Sequence, residues 1–186
     1  MNPSIASIHY CPVKSLSFQS IDSCHISKNY GMPNDRIFAF SRGIDLDNAI
    51  IIQDKPKERK LINFLTLKNS PVLNKYNFFY EHAKLTLIFE EKDLITINPF
   101  NMEERIKLSN KIHELETSLV KPIFLLQNQD FPFYDTSSSN NVFNSISLIN
   151  INSILDFEKK IDDKVELQRF RGNFYVDGIE AWEERN

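Results

Sequence analysis

Short-range alternation of apolar and polar residues, broken repeatedly by turn formers, restricts this chain more than any other feature. Leu85, Leu87 and Phe89 alternate ahead of Glu90-Glu91-Lys92, and Leu94, Ile95 and Ile97 follow it. A period of two sends successive side chains to opposite faces of a strand. The stretch is therefore expected to be a hairpin of Lys84–Phe89 and Asp93–Asn98, ended by Pro99. Ser4–Val13, Ile21–Ser27, Arg36–Ser41, Ile123–Gln127, Leu167–Phe170 and Phe174–Val176 share the same β-prone character. Between the second and third of these, Tyr30-Gly31-Met32-Pro33-Asn34-Asp35 is dense in turn residues.

Two segments change period. Leu108, Ile112, Leu115 and Leu119 stand four, three and four apart, which predicts a helix over Met102–Leu119. Asn101 can cap it, Glu104 can complete a capping box, and Pro122 closes the stretch. A shorter helix is expected from Asn152, with Ile154, Phe157 and Ile161 as its apolar stripe and Asp156 and Glu158 in its early turns. Lys57–Leu67, behind Pro56, is weakly helical. The expected class is α+β, built mostly of barrel-like sheet with helices inserted.

Composition removes several function classes. Only four glycines occur, and neither a dinucleotide fingerprint nor a phosphate-binding P-loop is present. Twenty-two basic against 25 acidic residues give a net charge of -3, so no global field favours nucleic acid. Cys11 and Cys24 cannot build a disulfide framework and read as free thiols. Neither a signal peptide nor an apolar run of membrane-spanning length is visible, so the expected location is the cytoplasm, away from membranes. The histidines, 9, 25, 82 and 113, are scattered at no metal-binding spacing, and His113 is expected to be exposed. No hydrolase motif appears. Glu183 and Glu184 are neighbours whose side chains should diverge, and they read as surface charges. Ser137-Ser138-Ser139-Asn140-Asn141 reads as a solvated loop. The chain halts soon after two β-like pieces, which would leave edge strands without partners, so the fold reads as interrupted, whether as a fragment or as a natural short form.

What remains is a set of cations beside turn formers. Pro12-Val13-Lys14-Ser15, Asn34-Asp35-Arg36 and Arg169-Phe170-Arg171-Gly172-Asn173 each place charge and hydrogen-bond donors at the end of a strand-like segment. Such donors suit an anion with a phosphate and polar heterocyclic edges. Surface salt bridges are the plainer alternative.

These segments carry a resemblance. Ile5–Leu16 (IASIHYCPVKSL) resembles the opening strand and Pro-Val-Lys-Ser-Leu motif of the MOSC family, which includes the mitochondrial amidoxime-reducing component and bacterial relatives. Gly31–Phe40 (GMPNDRIFAF) is similar to the family's Gly-x-x-x-Asp-Arg segment, and Leu148–Phe157 (LININSILDF) to its strand leading into a Ser-led helix. Arg169–Glu184 (RFRGNFYVDGIEAWEE) resembles its Arg-Phe-Arg-x-Asn segment and acidic follow-on. The four occur in the family's order along essentially the whole chain.

The resemblance implies an N-terminal β-barrel-like domain with inserted helices over 1–118, followed over 119–186 by the incomplete first part of a MOSC β-barrel. It implies a molybdopterin-type molybdenum cofactor, with Lys14 and Ser15 at the pterin's phosphate end and Arg36 adding charge there. Arg171 and Asn173 would contact the cofactor from the second barrel, and Asn150 and Ser153 would line the strand–helix junction. Family chemistry is oxidoreductive or sulfur-carrying, with a redox partner protein in the reductive branch.

Departures bear on activity. Cys11 stands where the family has Tyr, and its strand position makes it a buried structural thiol. Ser17-Phe18 replaces a glycine that commonly follows Lys-Ser, and Ile50-Ile51-Ile52-Gln53 stands where the family often has Thr-Arg. The family's metal-ligating cysteine lies downstream of Arg-Phe-Arg-x-Asn, and no cysteine follows Cys24. Whether the chain is an enzyme stays open, and little or no redox turnover is expected of these residues. A non-catalytic β-barrel interaction module and a binder of another phosphorylated small molecule are the competing readings.

Overall fold

The computed structural model describes residues 2–27, 31–134 and 146–185. Along the chain run β1 (Ser4–Tyr10), β2 (Gln19–Ile21), β3 (Phe38–Phe40), α1 (Leu46–Asp54), β4 (Tyr76–Glu81), β5 (Lys84–Phe89) and β6 (Lys92–Ile97). They are followed by α2 (Met102–Leu115), β7 (Leu125–Gln127), β8 (Leu148–Asn150), α3 (Ile151–Ile161) and β9 (Phe174–Asp177). The class is α+β with strand predominating. The strands lie in three sheets, ordered β2-β1-β9-β8, β3-β7 and β4-β5-β6, and among the described residues no pairing closes one into a ring.

The chain divides into two compact units. One, here the core unit, comprises Cys11–Ser17 and Asn34–Phe143. The other, here the clasp unit, comprises Met1–Tyr10, Phe18–Pro33 and Asn144–Asn186. β7 lies past the boundary expected after residue 118 but pairs with β3 inside the core unit, Ala39 opposite Leu126. Compact units and expected modules thus divide the chain differently.

In the core unit the hairpin forms where alternation demanded it. Leu85 and Leu87 are fully buried beneath β5, while Thr86 meets Thr96 on the other face. β4, which sequence reading passed over, adds a third strand, with Tyr76, Phe78 and Tyr80 buried and the residues between them exposed. α2 is capped as expected, Asn101 Oδ1 accepting from the Glu104 N–H at 3.2 Å. The capping box is not closed as expected: Glu104 Oε2 accepts from the Asn98 N–H at 2.6 Å, tying the helix to the end of β6. α2 ends at Leu115, short of Leu119, because the next residue, Glu116, is drawn away by Tyr76, whose hydroxyl donates to it at 2.6 Å, and by Lys75 at 2.6 Å. Helix was also expected over Lys57–Leu67. Instead, 3-10 turns occupy Pro56–Glu58 and Leu61–Asn63, and the Leu65 N–H donates to Phe40 O at 2.9 Å. Pairing with β3's residues overrides the weak local preference.

In the clasp unit β1 is central, antiparallel to β2 on one side and to β9 on the other, while β8 joins β9 in parallel. β1 stops at Tyr10 rather than Val13, since Pro12 has no N–H to give a ladder. β2 covers Gln19–Ile21 rather than Ile21–Ser27. β8 leads directly into α3, whose N-cap is Asn150. Of the expected stripe on α3, Ile154 is buried, whereas Phe157 and Ile161 are 36% and 44% exposed. Leu167–Phe170 is a 3-10 turn rather than a strand, closed by Arg171 in the left-handed region. The polar patch 137–141, and Tyr30 of the expected turn, lie outside the described residues.

Candidate functional site

The seven nominated residues fall three to the core unit and four to the clasp unit. In the core unit two stretches far apart in sequence are bonded into one corner. The Arg36 N–H donates to Cys11 O at 2.6 Å, the Cys11 N–H to Asp35 Oδ1 at 2.7 Å, and the Lys14 N–H to Phe38 O at 2.7 Å. Ser15, Asn34 and Arg36 all adopt positive φ, 63°, 63° and 56°, which non-glycine residues keep only where their surroundings over-determine it. Lys14, Ser15 and Arg36 are thus brought together by the backbone itself.

The side chains of Lys14 and Arg36 meet the same short segment. Lys14 is 3% exposed; its ammonium donates to Phe133 O at 3.0 Å and lies 5.8 Å from the Phe64 ring centre. Arg36 pairs with the buried Asp35 carboxylate and stacks over Tyr134, 5.3 Å from the ring centre. Burial works against the Arg36 charge, but Asp35, then Cys11 and Tyr134, outweigh it and raise the guanidinium above its ordinary value. The Tyr134 hydroxyl is shut off from solvent, near enough to Asp35 to feel its charge but without a hydrogen bond of ordinary geometry. Burial first, and Asp35 second, push that phenol above its ordinary value. Two cations, one carboxylate and one phenol therefore share the corner. Cys11 is buried as expected, its thiol donating to Val13 O at 2.9 Å. Nothing in the sequence signalled Phe133 or Tyr134, since their role comes from the fold.

The clasp unit uses its nominated residues differently. Asn173 is 1% exposed, and its side chain is spent on neighbours: Oδ1 accepts from the Ser147 N–H at 3.1 Å and hydroxyl at 2.9 Å, while Nδ2 donates to His9 O at 3.1 Å. Arg171 stacks on Phe18, 4.6 Å from its ring centre, and the following residue must be Gly172 because a Cβ there would sit 2.4 Å from Ile149. Asn150 and Ser153 meet at a group that sequence reading dismissed, the Glu184 carboxylate. Asn150 Nδ2 donates to it at 2.9 Å, and the Ser153 hydroxyl donates at 2.7 and 2.9 Å to its two oxygens. Glu184 is therefore an internal anchor and not a surface charge. His113 also departs from expectation: it is half-buried, with Nε2 enclosed and without a partner.

Neither cysteine is joined in a disulfide, and no helix among the described residues is long and apolar enough to cross a membrane. No group of three or more His, Cys, Asp or Glu among the described residues is placed to hold a metal ion. The donor set of the core-unit corner fits the phosphate end of a pterin cofactor; a thiol buried and turned onto a carbonyl does not offer itself to the metal end. No protein-family model matches this chain, and neither does any curated protein.

Proposed function

We propose that this chain is a MOSC-type module that holds the phosphate-bearing pterin of the molybdenum cofactor through Lys14, Ser15 and Arg36. The observation that carries this reading is the corner formed by Cys11–Ser17 and Asn34–Arg36, where backbone hydrogen bonds hold Lys14, Ser15 and Arg36 together. On this reading Arg36, its side chain 18% exposed, makes the direct contact, and the enclosed Lys14 acts through its charge. Bound here, the cofactor would supply oxidoreductive or sulfur-carrying chemistry; the chain's own part is binding and orientation.

The test is binding. Protein purified from molybdenum-replete cells is assayed for released pterin fluorescence, and the oxidised, phosphate-bearing pterin is titrated calorimetrically. Arg36→Ala and Lys14→Met are each expected to weaken binding at least tenfold with circular dichroism unchanged. No pterin in the purified protein and no heat on titration would sink the proposal.

A second reading, a non-catalytic interaction module, is favoured by one observation: Asn150, Ser153 and Asn173 all have partners within their own unit. It gains if pterin fails to bind while Asn173→Ala destabilises the fold.

A further inference from the structure

Ile179–Glu184 leaves β9 through Gly178 and is fastened almost wholly by side chains of the β8–α3 junction. Asn152 Nδ2 donates to Ile179 O at 2.8 Å and Asn150 Nδ2 to Glu180 O at 2.6 Å. Ser153 Oγ, while donating to Glu184, accepts from the Trp182 N–H at 2.8 Å. The Trp182 indole N–H donates to Asp156, and Lys160 lies 5.2 Å from the indole ring centre. Glu180, Ala181 and Glu183 are exposed, while Ile179 is half-buried and Trp182 is 37% exposed.

Its two ends differ from ordinary chain. Gly178 turns at φ 81°, and a Cβ there would stand 2.5 Å from Asn2 O, so the pivot admits only glycine. Trp182 sits at φ 71°, a conformation unfavourable for a side chain of its size. A segment with a pivot, internal strain and a cluster of polar fasteners belongs to the low-stability end of a fold.

We propose that Ile179–Glu184 is a strap that opens about Gly178 as one piece, pinned by the Glu184 carboxylate, and that opening uncovers Asn150 and Ser153. Closed, those residues are 1% and 5% exposed.

The pin is titratable. Burial pushes the Glu184 carboxyl up, but the bonds from Asn150 and Ser153 outweigh it and hold the group below its ordinary value. A depressed carboxyl contributes stability above its ordinary range and loses it as pH falls through the depressed value, so acid opens the strap. The other ionisable groups around it are Glu180, Glu183 and Arg185 on the strap, Asp156, Lys159 and Lys160 on α3, and Asp177 at the end of β9. Asp156, also held low by Lys160 and Trp182, shifts in the same direction, so a variant must separate the two.

Trp182 is the chain's single tryptophan. Hydrogen exchange of the full chain at neutral pH compares wild type with Glu184→Gln. Amides of residues 179–185 are expected to exchange at least tenfold faster in the variant, with β1 and β9 unchanged and Trp182 emission shifted to the red. Exchange within twofold of wild type, or equal acceleration in β1 and β9, overturns the proposal. Should the variant fail to fold, acid titration of wild type decides: a Trp182 emission change preceding loss of far-ultraviolet dichroism supports the strap, and coincident changes overturn it. None of these readouts depends on pterin binding.

Discussion

Phe38, Phe40, Phe78, Leu85 and Leu87 are buried to within a percent or two in the core unit, whereas the most enclosed positions of the clasp unit include Asn150 and Asn173. The core unit is organised by apolar contact: Phe38 packs edge-on to Tyr80, Phe40 against Phe78, and α2 adds Leu108 and Ile112 beneath them. The clasp unit also buries Tyr10, Ile154, Phe174 and Tyr175, but its connections run through amides and hydroxyls. Asn173 joins β1 to the chain at Ser147; the Tyr175 hydroxyl donates to Leu167 O at 2.8 Å. Apolar packing is forgiving of direction but not of lost volume. A buried amide is the reverse: it costs little volume, yet each broken bond strands a partner.

That contrast can be broken by substitution. Phe38→Ala, at a fully buried site, is expected to cost about 3–5 kcal/mol in urea denaturation followed by far-ultraviolet dichroism. Hydrogen exchange of the β1 and β9 amides, which reports on the clasp unit, should change less; equal changes would mean that the two units unfold as one. Asn173→Ala comes next, at about 2 kcal/mol, because Ser147 and His9 O lose their partners. Its effect should appear first in hydrogen exchange of the β1 and β9 amides, and an effect under 0.5 kcal/mol, the usual range for a surface position, would refute the clasp. Smallest is Arg59→Lys, at about 1 kcal/mol in the dichroism transition, since an ammonium cannot reproduce the planar fork that reaches Ile52, Gln53, Phe131 and Pro132. Full tolerance of that change would show the four carbonyl bonds to be incidental.

The same contrast separates what the sequence made legible from what it did not. Leu85, Leu87 and Ile97, or Leu108 and Ile112, repeat at fixed periods, so the hairpin and α2 could be placed before any coordinates. β4 also alternates, through Tyr76, Phe78 and Tyr80, but Phe79 between them is apolar and blurred the pattern. α1 was missed because only Ala49 and Ile52 are buried along it, too few to set a period, although Asp45 caps it through the Asn48 N–H at 2.8 Å. In the candidate corner, Lys14 and Arg36 were legible as cations, and Ser15 as a hydroxyl, beside turns. Phe133 and Tyr134 were not, because the contact with Lys14 is a backbone carbonyl, which every residue has. Glu184 was misread for a related reason. Adjacent glutamates look alike in sequence, and only the turn at Trp182 aims one of them at Ser153.

Arg59 has one more implication. Its guanidinium is gripped by four main-chain oxygens and lies against the Phe133 ring, 4.1 Å from its centre. Desolvation lowers it to about 10, with Asp54 opposing, so it stays protonated in neutral and acidic solution alike. Peptide oxygens take up no proton in that range. As the solution sours, a knot of this kind keeps its grip while carboxylate fastenings let go, and the stretch from Phe131 to Phe133 should stay moored to the end of α1 after the chain's other end has come adrift.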